Sequence, residues 1–149
     1  MKGQRLDLNW FLLVAGAWVI LVVTALWPAS YWLQVDYVIV HDTVEGTPPR
    51  MSVSRTIKRP FLGSWLATVL ERESGGFSAY CPAPGVNDYR PENVLPDDLD
   101  LNWWTFPKEC DLPPGDYKVS TVWMIDPPLM PRKTIRVMSN VFTVHPKVQ

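Results

Sequence analysis

The stretch "LPPGDYKVSTVW" at residues 112–123 decides how this chain is read. A Pro-Pro-Gly turn runs into alternation in which Tyr117, Val119, Thr121 and Trp123 share one face, the period-two pattern of a half-buried strand. The same period recurs outward on both sides. Downstream, residues 134–144 read as a strand bent at Ser139-Asn140, where a bulge would re-aim it. Upstream, residues 99–106 alternate, and residues 82–96 are rich in Pro, Gly, Asn and Asp and read as a loop. Residues 75–81 follow a Gly-Gly turn as an extended piece, and residues 63–71 align Trp65, Ala67 and Val69. Residues 50–57 place Met51, Val53 and Ile57 opposite Ser52, Ser54 and Thr56, and residues 31–41 place Leu33, Val35, Tyr37 and Ile39 on one face. About seven short strands, with no helical pattern and no internal repeat, predict an all-β sandwich rather than a barrel.

Within that frame the turn resembles a known fold family. Leu-x-Pro-Gly-x-Tyr entering a penultimate strand is similar to the tyrosine corner of immunoglobulin-like and fibronectin type III-like sandwiches, with Tyr117 at the matching position. The resemblance implies that the Tyr117 hydroxyl bonds back to backbone a few residues upstream. It also puts Trp65 where the family's core tryptophan follows the second strand, and makes "SNVFTV" the closing strand. It covers residues 33–145 and concerns a superfold, so it implies architecture rather than activity. The family's inter-sheet bridge would need cysteines near Val53 and Val119, where this chain has valines. Its only cysteines, Cys81 and Cys110, could instead close a bridge across residues 82–109, worth roughly 3 kcal/mol in the loop-entropy model. Two unpaired buried thiols are the alternative. More loosely, the plan resembles small single-pass membrane proteins of bacteria and their phages or prophages.

The N-terminal segment has a simpler pattern. Residues 8–35 carry no charged side chain, and "WFLLVAGAWVILVVTALW" at residues 10–27 is almost wholly apolar. Such a run is long enough to span a bilayer as a helix. Trp10 at one end, and Trp27, Tyr31 and Trp32 at the other, stand where rings prefer the membrane interface, and Pro28 offers a stop. Lys2 and Arg5 precede the run and Arg50 is the first basic residue after it, so the positive-inside rule predicts a cytoplasmic N-terminus. A cleaved signal peptide is the rival, but "ALWPASYW" offers no well-spaced small pair for cleavage. The expected organisation is therefore a cytoplasmic segment at residues 1–7, a transmembrane helix at 8–28, and an extracytoplasmic domain at 29–149, the bacterial inner membrane and periplasm being the favoured setting.

Composition narrows the function classes. Fourteen basic against fifteen acidic side chains leave a net charge of −1, with no basic footprint for nucleic acid or anionic lipid. Only two histidines, His41 and His145, are available to a nucleophile–base pair, and both fall at strand ends. No phosphate loop, zinc-ligand spacing, nucleophile elbow or Cys-x-x-Cys is present, so neither an enzyme nor a cofactor is expected. Asp97, Asp98 and Asp100, with Glu92 and Asn102, could offer oxygens to calcium, but alternation would separate them and a solvated acidic loop is preferred. "NWWTFP" at 102–107 is the best interaction candidate. In an extended chain Trp103 and Trp104 would face opposite ways, so with Phe106 nearby one ring must be covered, by the 82–98 loop or by a partner. The expected function is a membrane-anchored interaction protein. It would be an accessory subunit of a membrane or envelope complex contacting a membrane-proximal protein. A phage-encoded virion or envelope component, or a membrane-tethered glycan-binding module, is the alternative.

Overall fold

The apolar run forms one helix, α1 (Gln4–Leu26), in the computed structural model, which describes residues 4–105 and 110–148. Within it Leu8–Leu26 is long and apolar enough to cross a membrane, and none of that stretch is buried against the rest of the protein. Its 19 residues cover about 28 Å, and a helix that is apolar all round suits lipid. Pro28 ends it. A single 3-10 turn (Ala29–Tyr31) follows, closed by the N–H groups of Tyr31 on Pro28 O at 3.1 Å and Trp32 on Ala29 O at 3.0 Å.

The rest of the chain is mostly β-sheet. One sheet holds β1 (Leu33–Val40), β3 (Arg50–Ile57) and β6 (Asp98–Asp100) in that order, all antiparallel. The other holds β2 (Thr43–Val44), β9 (Phe142–His145), β7 (Gly115–Asp126), β4 (Phe61–Glu73) and β5 (Gly76–Tyr89) in that order, with β8 (Lys133–Met138) also on β7. Only the β2–β9 pair is parallel among these described strands. Leu33, Val40, Met51 and Val53 from the first sheet meet Val69, Val119, Ile125, Phe142 and Val144 from the second in one core. Burial alternates strictly along β7, with Tyr117, Val119, Thr121, Trp123 and Ile125 all inward, as the opening stretch predicts.

Nine strands replace the seven expected, and four local readings change. In β1 a register shift between Val35 and Tyr37 turns the strand over, so Val38 and Val40 are buried while Tyr37 and Ile39 are exposed. Residues 82–89, expected as loop, continue β5 opposite β4. Pro82 and Pro84 are tolerated because β5 is an edge strand and, two residues apart, both can turn their missing N–H outward. Residues 101–105, expected as strand, form the short helix α2 (Leu101–Thr105), because the Asp100 carboxylate accepts the Trp103 N–H at 2.8 Å as an N-cap. At Ser139-Asn140 the last strand does not bend but divides into β8 and β9. Asn140 accepts the Val40 N–H at 2.8 Å and donates back to Val40 O at 2.9 Å, so one side chain stands in for a strand neighbour and ties the two sheets together.

Candidate functional site

A cavity of about 440 Å³ opens where β5, α2 and residue Leu95 meet the inner ends of β3 and β7. Its floor depends on a glycine. Trp65 lies directly opposite Gly85 in the β4–β5 register, and a Cβ on Gly85 would fall 2.3 Å from the indole, so the ring rests on bare backbone. Trp65 is thus half-buried on the rim of the core, while Trp123 is the more deeply buried ring beside it. Tyr89 stacks on Phe61 at 4.9 Å between centroids and meets Trp123 edge-on at 5.9 Å. Trp103 and Val86 complete the wall from α2 and β5, and remain 51% and 73% exposed.

One cation enters this aromatic box. Arg55 lies 5.8 Å above the Trp123 ring and donates from Nη2 to Pro96 O at 3.2 Å, while its buried Nε has no hydrogen-bond partner among the described residues. Desolvation lowers its pKa, with Tyr89 and Asp97 opposing. The same burial pushes Tyr89 up to about 12, with Arg55 pulling it down. The site therefore offers large apolar faces with one guanidinium edge, suited to an apolar or aromatic group carrying an acceptor.

A second constellation joins the domain to the helix. Lys133 is buried, and its ammonium donates to Thr24 O at 2.7 Å and Ala25 O at 2.6 Å, capping carbonyls in the last turn of α1. The N–H of Lys58 bonds Trp32 O at 2.7 Å, and the Arg59 guanidinium sits 4.0 Å over the Tyr31 ring. Of the four rings expected at the membrane interface, Trp10 and Trp27 stay exposed and Tyr31 is half-buried, but Trp32 belongs to the domain core. The pairing of β1 begins at Leu33, and Trp32 just before it packs into the core at the base of the domain.

The remaining sequence-predicted positions fall as follows. Cys81 and Cys110 form a disulfide with Cα atoms 6.2 Å apart, tying the chain before β7 to β5. The Tyr117 hydroxyl donates to Pro113 O at 2.8 Å, four residues upstream. Val53 and Val119 are both fully buried, so plain packing joins the sheets there. Trp103 lies on the cavity; the Trp104 side chain and Phe106 lie outside what the structure describes. Asp98 pairs with Arg50 and Asp100 caps α2, so these carboxylates have local work. His41 lies 3.3 Å from Ser52 on an exposed strand end, with no carboxylate hydrogen-bonded to it among the described residues, and His145 is exposed.

Arg55 and Lys133 were not singled out from the sequence. For Arg55 a signal existed, since parity in β3 puts it with Met51, Val53 and Ile57 on the inward face. For Lys133 none did. No protein-family model matches the chain, no curated protein matches it, and no solved structure matches it.

Proposed function

We propose that this is a single-pass membrane protein that holds an immunoglobulin-like β-sandwich against the extracytoplasmic face and acts by non-covalent contact, as an accessory subunit of a membrane or envelope complex. The strand order of the two sheets, the parallel β2–β9 pair and the Tyr117–Pro113 hydrogen bond support the immunoglobulin-like reading. The apolar helix and the disulfide support the anchor and its orientation.

The observation that carries the mode of action is the aromatic cavity at the β5–α2 edge. Pro82 and Pro84 make β5 a poor template for strand addition, so a partner engages by seating an apolar side chain among Trp65, Trp103 and Trp123. The Lys133 cap keeps the cavity near the membrane, which restricts the partner to membrane-proximal proteins. Val86→Asp places a charge on the exposed rim without touching the core. Extraction in mild detergent and affinity recovery of the full chain should yield a stoichiometric protein partner that this variant loses while its thermal unfolding stays unchanged. Recovery of the same partner with the variant would sink the reading. Asn87 beside the tryptophan faces favours a glycan as the second reading, and saturable binding of free oligosaccharide by the solitary protein would select it.

A further inference from the structure

We propose that the base of the domain carries a binding site for the phosphate headgroup of an anionic phospholipid, formed by Lys58 and Arg59 around the end of α1. The inference rests on the reading of α1 as a membrane anchor. A cavity of about 350 Å³ lies there, lined by Pro28, Ser30, Tyr31, Lys58 and Arg59. Two of its five walls are cations, and no carboxylate lines it. Pro28 lies two residues past the end of the membrane-length helix, so the cavity sits at headgroup depth when α1 spans the bilayer.

The chemistry matches a lipid phosphate in three respects. Arg59 uses its flat face on Tyr31 and is exposed, and its guanidinium makes no hydrogen bond among the described residues, so its N–H edges can serve a bidentate phosphate contact. Lys58 is exposed beside it, with its backbone N–H held by Trp32 O, so its ammonium is presented from a fixed turn. The carbonyl end of α1 would ordinarily repel an anion, but Lys133 already covers Thr24 O and Ala25 O.

An independent feature at the same end points to lipid. Leu129, in the β7–β8 turn between Asp126 and Lys133, is fully exposed and holds φ at 59°, a left-handed conformation that leucine rarely adopts. A strained, exposed leucine four residues before Lys133, whose ammonium meets the end of α1, is placed to enter the acyl boundary. Sequence spacing hides all of this, because Lys58 and Arg59 reach the helix end only through the β1–β3 pairing of Leu33 with Ile57.

The test uses the full chain in nanodiscs of equimolar phosphatidylcholine and phosphatidylglycerol, released gently for native mass spectrometry of retained lipid. Phosphatidylglycerol should be retained over phosphatidylcholine by on the order of fivefold. The Lys58→Gln/Arg59→Gln variant should lose that preference, with either single change lowering it, whereas Lys147→Gln, which removes the same charge near the C-terminus, should keep it. Equal retention of both lipids by the unaltered protein overturns the proposal, as does an unchanged preference in a folded double variant. Loss of the preference in excess inorganic phosphate would also overturn it, assigning the site to a soluble anion. Failure of the chain to enter nanodiscs at all would overturn the anchor reading, and this site with it.

Discussion

The base of the domain and its open edge both combine aromatic rings with a partly or fully buried cation, in opposite ways. At the base Lys133 has two carbonyl partners and Trp32 is sealed in the core. At the edge Arg55 keeps a buried Nε without a hydrogen bond, and Trp103 and Val86 stay exposed beside a cavity. A satisfied cation closes a joint, whereas an incompletely satisfied one beside a cavity leaves donor capacity unused. The difference separates a region closed by its own packing from a region left open at the surface.

The largest test falls on the edge. The Cys81–Cys110 bond, with a sequence separation of 29, holds the α2 segment against β5, so replacing both cysteines by serine should lower unfolding stability by about 3 kcal/mol. The loss should show in denaturant titration and be matched by reducing the unaltered protein. A much smaller loss would mean that packing alone keeps the edge in place.

The base is tested by Lys133→Met, which preserves length and apolar packing but leaves the carbonyls of Thr24 and Ala25 without their charged donor. It should cost about 2 kcal/mol and expose residues 27–32 to protease in the detergent-solubilised chain. Protease resistance equal to that of the unaltered protein would show that Trp32 packing suffices as a joint.

A smaller effect is expected at Gly85→Ala. The added methyl meets Trp65 and must push the ring off β5, for about 1 to 2 kcal/mol and a shift in tryptophan fluorescence. Because the edge is already open, the ring has somewhere to go, which keeps the cost below that of a sealed core.

The last test is one of pH. Burial raises both Tyr89 and Tyr117 from an ordinary 10.0 to about 12. Their folded values lie above the unfolded one, so the stability they contribute is intact below pH 10 and is lost as pH rises toward 12. Denaturant midpoints should fall across that window, and Tyr89→Phe should flatten part of the fall. Tyr117→Phe should flatten another part, at a cost of about 1 kcal/mol near neutral pH for the lost bond to Pro113 O.

Much of the β framework was legible because β3, β4 and β7 alternate cleanly, with Met51, Val53, Ala67, Val69, Val119 and Trp123 all inward. What misread were places where a single residue outweighs the period. Asp100 caps a helix out of an alternating stretch, and the shift between Val35 and Tyr37 reverses a face. Prolines that mark loops elsewhere sit in an edge strand at 82 and 84, since only the finished sheet determines which strand is the edge.

The candidate site was less legible than the fold. Trp103 was visible as an unusual ring, but its neighbours Trp65, Gly85, Tyr89 and Arg55 come from three strands, and their convergence depends on register. Local pattern therefore determined the membrane-length helix, the β-rich remainder and the turn at "LPPGDYKVSTVW", because a stop at Pro28, a period of two and a Tyr four residues after Pro113 are all short-range properties. Only the tertiary structure decided that Lys133 meets the end of α1 across 108 residues of chain, and that Arg55 shares a cavity with Trp65, Tyr89, Trp103 and Trp123. Those contacts are made by strand pairing and packing between distant segments, and no spacing along the chain encodes them.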